Sequence, residues 1–383
     1  MYSCHFGVYR RSLIEDIGGF RVGFEGSQDY DLVLRVTEKT TRICHIPKIL
    51  YHWRMIPGSA AATVEAKDYA YEAARKALQD RLNREHNQGK VQNGLWTGAY
   101  RVRRHIDDRP LVSIVIPFKD EPQYLRRCLS SIQKSSYGNT EILLISNNSE
   151  EEETFSVVEE FRQQDARIRF HEYNQPFNYS EINNWGANQA KGKYLVFLNN
   201  DTEVISSGWI EAMLEQATRK PIGAVGAKLL YSNNTIQHSG VILGIVGVAN
   251  HAFRHLPADH HGYFGYANVI RNYSAVTAAC LMIEAKKFWE VGGFDEEHLA
   301  VAYNDIDLCL ELMKKGYRNV YTPYAQLYHF ESVSRENDKL APEGLRFSQE
   351  KEFMQKKWGE LINNDPYYNP NLTLDREDFS LRI

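Results

Sequence analysis

The chain has 383 residues, 43% of them hydrophobic and 25% charged, with a formal net charge of -4; this is the profile of a folded globular protein long enough for two units, and the absence of a Lys/Arg block argues against a nucleic-acid binder. No apolar run approaches the ~20 residues that cross a bilayer, and the N-terminus lacks the charged-then-apolar order of a signal peptide, so a cytoplasmic location is expected. Five cysteines, Cys4, Cys44, Cys128, Cys280 and Cys309, form no CxxC pair, which suggests buried free thiols and not a disulfide framework or a zinc knot.

Taken in chain order, the first feature is half of a long-range repeat. Gly18-Gly19-Phe20 recurs as Gly292-Gly293-Phe294, Asp29-Tyr30-Asp31-Leu32 as Asp305-Ile306-Asp307-Leu308, Ile46-Pro47 as Thr322-Pro323, and Tyr51-His52 as Tyr328-His329. Four landmarks in order at nearly constant offset point to homology. The second copy closes a run of strand and helix patterns, whereas the first has almost nothing before it. Residues 1–60 are therefore expected to be the C-terminal remnant of a first domain. Residues 61–108 are expected to be a connector: a helix from Glu65 to Asn87, rich in Ala, Lys, Glu and Arg with apolar Tyr69, Ala73, Leu78 and Leu82 in period, and a polar, glycine-containing linker from Asn87 to Gly98.

The main domain is expected over residues 109–335, with a C-terminal helical extension over 336–383. Leu111 to Ile116 is a short β-branched run stopped by Pro117, the pattern of a buried parallel strand. A helix follows from Tyr124 to Gln133, then a strand Glu141 to Ser146, a helix Glu152 to Gln164, a strand Arg167 to Tyr173, a helix Ser180 to Ala190 and a strand Tyr194 to Leu198. Alternation of this kind predicts an α/β fold, a Rossmann-like, open, mostly parallel sheet flanked by helices. Ligands of such sheets gather at the carboxyl ends of the strands.

The last of these strands runs into Asn199-Asn200-Asp201-Thr202 and so delivers polar groups and one carboxylate to that edge. Mg²⁺ or Mn²⁺ prefers oxygen ligands and shares them with substrate phosphates, so one carboxylate suffices if a diphosphate and another side chain complete the shell. A polar strand-end turn is the competing reading, since Asn and Asp both favour turns.

Four stretches in order, Ser113-Ile114-Val115-Ile116-Pro117-Phe118-Lys119-Asp120, Leu198-Asn199-Asn200-Asp201-Thr202, Gly292-Gly293-Phe294-Asp295 and Asn304-Asp305-Ile306-Asp307-Leu308, resemble the signature of family 2 glycosyltransferases with the GT-A fold, over roughly Leu111 to Phe330. The resemblance implies that Pro117, Phe118 and Asp120 help hold the nucleotide. Where the family pairs aspartates against the base, this chain has Asn147 and Asn148, which keep hydrogen bonding but lose charge. The family's metal motif falls on Asn199, Asn200 and Asp201, with Asp201 on the ion, Asn199 and Asn200 on the donor, and His329 in Leu327-Tyr328-His329-Phe330-Glu331-Ser332 as the second metal ligand. A divalent cation, Mn²⁺ or Mg²⁺, is implied, with a histidine ligand leaning toward Mn²⁺.

Inverting transfer needs a base for the acceptor hydroxyl proton. The family places it at the Asp of an acidic pair that opens a helix, here Asp305, with Asn304 as its neutral neighbour. Asp307 is assigned to acceptor binding or to helix N-terminal charge, and Gly293 and Phe294 to the acceptor side. Gln237-His238-Ser239-Gly240 and Val276-Thr277-Ala278-Ala279-Cys280 resemble stretches of relatives that build bacterial surface polysaccharides. Small Ala278 and Ala279 suit close approach to a donor sugar or, equally, a packed core strand. His251, His255, His260 and His261 invite a zinc reading, but no Cys or acidic spacing supports it, and an acceptor loop is preferred.

The implied partners are a nucleotide-sugar, UDP-sugar first and dTDP-rhamnose second, and a glycan acceptor. A lipid-linked glycan would bring the protein to the inner membrane face. Residues 1–60 then read as the end of a first glycosyltransferase domain, without donor strands and unable to catalyse alone. Two other readings compete: a nucleotidyltransferase, disfavoured because Phe118-Lys119-Asp120-Glu121-Pro122 is not a glycine-rich phosphate loop, and a catalytically inactive glycan-binding scaffold, encouraged by Asn147, Asn199 and Asn304.

Overall fold

The computed structural model describes residues 6–52, 54, 68–86, 88–330 and 343–382. Cys4, the expected helix ends at residues 65–67 and 87, Glu331 and Ser332, and residues 336–342 of the expected extension lie outside them. Two units separate, Met1–His105 and Ile106–Ile383.

In the first unit, α1 (Arg11–Asp16) leads through a glycine pair to α2 (Gln28–Lys39), and α3 (Asp68–Arg84) follows. Asp31 on α2 is buried and paired with Arg21 and Arg35, whose Nη1 and Nη2 also donate to the Ile17 and Gly19 carbonyls at 2.8 and 2.6 Å. The stretch expected to be a linker is instead a hairpin of β1 (Gly89–Asn93) and antiparallel β2 (Tyr100–Arg104). Lys90, Gln92, Arg101 and Arg103 form the face opposite Val91 and Val102 in a period-2 alternation. Val91 is buried, and its N–H donates to Gln79 Oε1 on α3 at 3.0 Å.

The second unit opens with β3 (Val112–Phe118), α4 (Pro122–Ile132), β4 (Thr140–Ser146), α5 (Glu152–Gln164), β5 (Ile168–Glu172), α6 (Tyr179–Gln189) and β6 (Tyr194–Leu198), close to the positions expected from sequence. It continues through β7 (Thr202–Val204), α7 (Trp209–Ala217), β8 (Ile222–Leu230), β9 (Ile236–His238), β10 (Val241–Leu243), β11 (Ala249–His251), β12 (Arg271–Tyr273), β13 (Cys280–Glu284), α8 (Ala285–Glu290), α9 (Asn304–Lys314), β14 (Arg318–His329) and α10 (Glu343–Asn363). The main sheet runs β12-β14-β8-β13-β6-β3-β4-β5, with β7 added to β14 and β9 to β8. β3, β4, β5, β6, β8 and β14 share one direction, and β13 runs antiparallel between β6 and β8. The carboxyl ends of those six strands therefore meet one edge.

Both faces of the sheet are covered. Ile114, Ile116, Leu144 and Val196 pack with Leu125, Val157 and Met213 of α4, α5 and α7; Val115, Ile145 and Phe197 pack with Ile182, Phe288 and Leu308 of α6, α8 and α9. Met354, Trp358 and Ile362 of α10, with Tyr368, Leu372 and Phe379 beyond it, belong to the second cluster. The C-terminal segment is thus built into the core of the second unit.

The two units share local geometry. Gly18 and Gly19 adopt φ of +76° and +66°, Gly292 and Gly293 of +90° and +76°. The Gly19 N–H donates to the Ile14 carbonyl at 2.9 Å, and the Gly293 N–H to the Phe288 carbonyl at 3.0 Å. Asp29 Oδ1 accepts from the next N–H at 2.8 Å, as does Asp305 Oδ1. Past α2 the likeness ends, because residues 42–52 form no strand where their copy is β14.

Candidate functional site

Pairing of β7 with the end of β14 sets Thr202 opposite His329, and the Phe330 N–H donates to the Asp201 carbonyl at 2.9 Å. This brings two residues 128 positions apart together: His329 Nε2 lies 3.2 Å from Asp201 Oδ1. Asn199 Nδ2 also lies 3.2 Å from Nε2, and its Oδ1 is 3.1 Å from the Tyr179 hydroxyl. On the far side of the ring, His329 Nδ1 is 2.7 Å from Gln237 Oε1 on β9. Asn200 occupies the same turn, half-buried.

Asp305 opens α9 and faces the loop before β13. Its Oδ2 accepts from the Ala278 N–H at 3.0 Å and its Oδ1 from the Ile306 N–H at 2.8 Å. The Tyr179 hydroxyl is 3.2 Å from the Ala278 carbonyl, and the Asn199 N–H donates to the Ala279 carbonyl at 3.1 Å. Asp305, the 278–279 backbone, Tyr179, Asn199 and His329 thus form one hydrogen-bonded chain along the edge, with the Asp201 carboxylate 3.2 Å from the imidazole at its end. Tyr179 and Gln237 were not singled out for these roles by sequence, since nothing local to Tyr179 marks it, while Gln237 stood only inside a motif resemblance.

At the other end of the edge, Asp120 Oδ1 accepts from the Glu150 and Glu151 N–H groups at 2.8 and 2.9 Å, tying the end of β3 to the start of α5. Asp120, Glu121, Asn148 and Tyr303 all hold φ between +47° and +62°. Left-handed non-glycine residues at strand ends and before α9 are the kind of backbone strain that collects at functional loops.

Several expected site residues have other work. The Phe118 ring is buried in the core beside Phe170, so only the backbone of this residue reaches the edge, and Pro117 is likewise buried in the strand. Asn147 is buried, with Nδ2 donating to the Tyr173 and Gln175 carbonyls at 2.8 and 2.9 Å; Asn148 Nδ2 donates to the Gln175 carbonyl at 2.7 Å. The Phe294 ring is 2% exposed, packed on Phe197 and Phe288, and does not line an acceptor face. Gly293 is clamped instead: a Cβ there would come 2.6 Å from Asn184 Oδ1, which accepts the Phe294 N–H.

Asp307 is also turned away from acceptor duty. It is buried, and Trp358 Nε1 and Lys357 Nζ on α10 contact its Oδ1 at 2.6 and 2.7 Å. Burial pushes its carboxyl up, against the opposing pull of Lys357 and Trp358. Its role is to fasten α10.

Two of the three departures from acidic residues share one cause. Asn147 and Asn304 each direct an amide N–H at backbone carbonyls, the two above and that of Val301 at 3.1 Å. A carboxylate in either place would set oxygen against a lone pair. Asn147→Asp is accordingly expected to cost about 2–4 kcal/mol, read as a lower urea midpoint in equilibrium unfolding.

Among the described residues no group of three His, Cys, Asp or Glu side chains converges as a metal site. The donor set at the edge is one carboxylate, one imidazole nitrogen and a neutral amide neighbour. That suits a cation which keeps its remaining positions for phosphate oxygens and water, and not a structural zinc. His238 and His251 pair through Nδ1 atoms 2.8 Å apart, and both are held uncharged, His251 down to about 3, chiefly by burial.

The profile of glycosyl transferase family 2 matches residues 113–270. An uncharacterized protein of Sinorhizobium fredii, y4gI, is 44% identical over 99% of this chain and 42% of its own length. The O-antigen biosynthesis protein RfbC of Myxococcus xanthus is 40% identical over the whole of this chain and 29% of its own length. The chain thus spans less than half the length of these relatives. Over 28% of this chain and 35% of the other, it is 30% identical to a GalNAc(5)-diNAcBac-PP-undecaprenol beta-1,3-glucosyltransferase of Campylobacter jejuni. The crystal structure of GalNAc-T7 with UDP, GalNAc and Mn²⁺ superposes with a TM-score of 0.53 over 68% of this chain and 50% of that one; at 15% identity the likeness is one of fold. The matched profile, the relatives and the sheet agree: the chain carries a glycosyl transferase family 2 domain on a GT-A fold.

Proposed function

We propose that the unit Ile106–Ile383 moves a sugar from a nucleotide-sugar to a hydroxyl of a glycan acceptor with inversion at the anomeric carbon. The observation that carries this reading is the edge on which a hydrogen-bonded chain links Asp305 to His329 and the Asp201 carboxylate lies 3.2 Å from that histidine. Asp201 and His329 would hold Mn²⁺ or Mg²⁺, which when bound offsets the charge of the departing diphosphate. The backbone turns at Asp120 and Asn148 would cradle the nucleotide, with Asn200 toward the donor.

Asp305 would take the acceptor proton as the new C–O bond forms and the electron pair of the old one leaves with the diphosphate. Two backbone N–H groups fix its carboxylate in place. A UDP-sugar is the first donor to test and dTDP-rhamnose the second. The UDP of GalNAc-T7 and the undecaprenol-linked acceptor named for the Campylobacter relative support a nucleotide donor and a lipid-linked glycan. No helix among the described residues is long and apolar enough to cross a membrane; the proposed place of action is the cytoplasm, at the inner membrane face when the acceptor is lipid-linked.

Incubating the chain with a panel of UDP- and dTDP-sugars and Mn²⁺, and following nucleoside diphosphate release by mass spectrometry, tests the proposal. Turnover of at least one donor is expected. No turnover of any, with glycan binding intact, would favour the inactive scaffold.

We also propose that residues 1–60 are the acceptor half of a second transferase domain. The supporting observation is a contrast in burial between its copies: Phe20 is 65% exposed against 2% for Phe294, and Leu50 64% against 0% for Leu327. Apolar residues exposed in one copy and in the core in the other mark a face made for a sheet. Amide exchange of residues 42–52 should be fast in the 383-residue chain and slow for the matching segment of full-length Myxococcus xanthus RfbC. Equal rates in both would sink this part of the proposal.

A further inference from the structure

Gln237 lies in the middle of β9, buried, and grips His329 twice: Oε1 is 2.7 Å from Nδ1, and Nε2 donates to the His329 carbonyl at 3.3 Å. The second bond fixes which end of the amide faces the ring, because only the NH₂ end can donate to a carbonyl. Oxygen therefore meets Nδ1, and the ring must carry a proton there. In the neutral ring the remaining nitrogen, Nε2, then carries the lone pair, with Asp201 Oδ1 and Asn199 Nδ2 each 3.2 Å from it.

We infer that Gln237 is a positioning residue that presents His329 to a divalent cation through Nε2, beside Asp201. The inference rests on the metal reading of Asp201 and His329 above. Metal-bound histidines generally donate their second N–H to an oxygen that sets the tautomer and raises the basicity of the ligating nitrogen. The usual oxygen is a carboxylate, a main-chain carbonyl or a water; here a side-chain amide supplies it. Its neutrality matters in this site. With Asp201 as the single carboxylate beside the histidine among the described residues, the bound dication keeps net positive charge for the diphosphate.

Mn²⁺ binding, followed by the loss of the free-ion EPR signal with the metal alone, tests this without turnover. Gln237→Met keeps length and removes the acceptor, and is expected to weaken Mn²⁺ about 10–100-fold. Gln237→Glu restores an oxygen at Nδ1 and is expected to bind Mn²⁺ as well as the unaltered chain or better. Unchanged affinity in Gln237→Met, or equal loss in both variants, overturns the inference. Retained affinity in Asp201→Ala and His329→Ala would instead overturn the metal site itself. Should Gln237→Met fail to fold, long-range nitrogen NMR of the histidine rings in the metal-free unaltered chain decides: protonation of His329 on Nδ1 is expected, and on Nε2 overturns the inference.

Discussion

Asp305→Asn is expected to lower turnover of the sugar donor roughly 100- to 10,000-fold, the range a positioned base contributes, while changing the donor KM far less. The substitution keeps the size of the side chain and an oxygen that can accept one of the two N–H groups now bound, from Ala278 and Ile306. What it removes is the capacity to take a proton. The other N–H loses its acceptor, which costs about 1 kcal/mol and appears in a thermal melt, separately from the rate. A variant that keeps full turnover would remove Asp305 from the chemistry. The nearby carboxylate Asp307 could not then be promoted in its place, since Trp358 and Lys357 occupy it.

The parallel half of the sheet was legible because short strand patterns, apolar in β3, β4 and β6, alternate there with helix patterns that carry an apolar stripe. The region from β9 to β12 was not: its strands are three residues long, too short for alternation to show. The hairpin of β1 and β2 was misread because Lys90, Gln92, Arg101 and Arg103 on one face masked Val91 and Val102 on the other. Order along the chain identified Asp201, Asp305 and His329 as a set, and the structure brings them to one edge. It could not say which polar residues were already spent. Asp305 and Asp307 are separated by two positions on a helix, about 200° around it, and only the docking of α10 shows which of them is taken. Gln237 is 92 positions from its partner, so its role could be read only once β9 and β14 were placed.

Asp201→Asn and His329→Ala are expected to cut metal-dependent turnover by several kcal/mol of transition-state stabilisation, on the order of 1,000-fold. The effect is large because the site is sparse. With one carboxylate and one imidazole converging among the described residues, removing either leaves the cation to one of these two ligands and the diphosphate. The same sparseness predicts how the loss should respond to conditions. A ligand variant lowers occupancy, so excess Mn²⁺ should restore part of the rate by mass action. Asp305→Asn lacks a proton acceptor whatever the occupancy, and added metal should leave it unchanged. Titrating Mn²⁺ against turnover in all three variants separates the roles. Recovery in Asp305→Asn, or equal insensitivity in all three, would mean that the division of labour along this edge is not the one proposed.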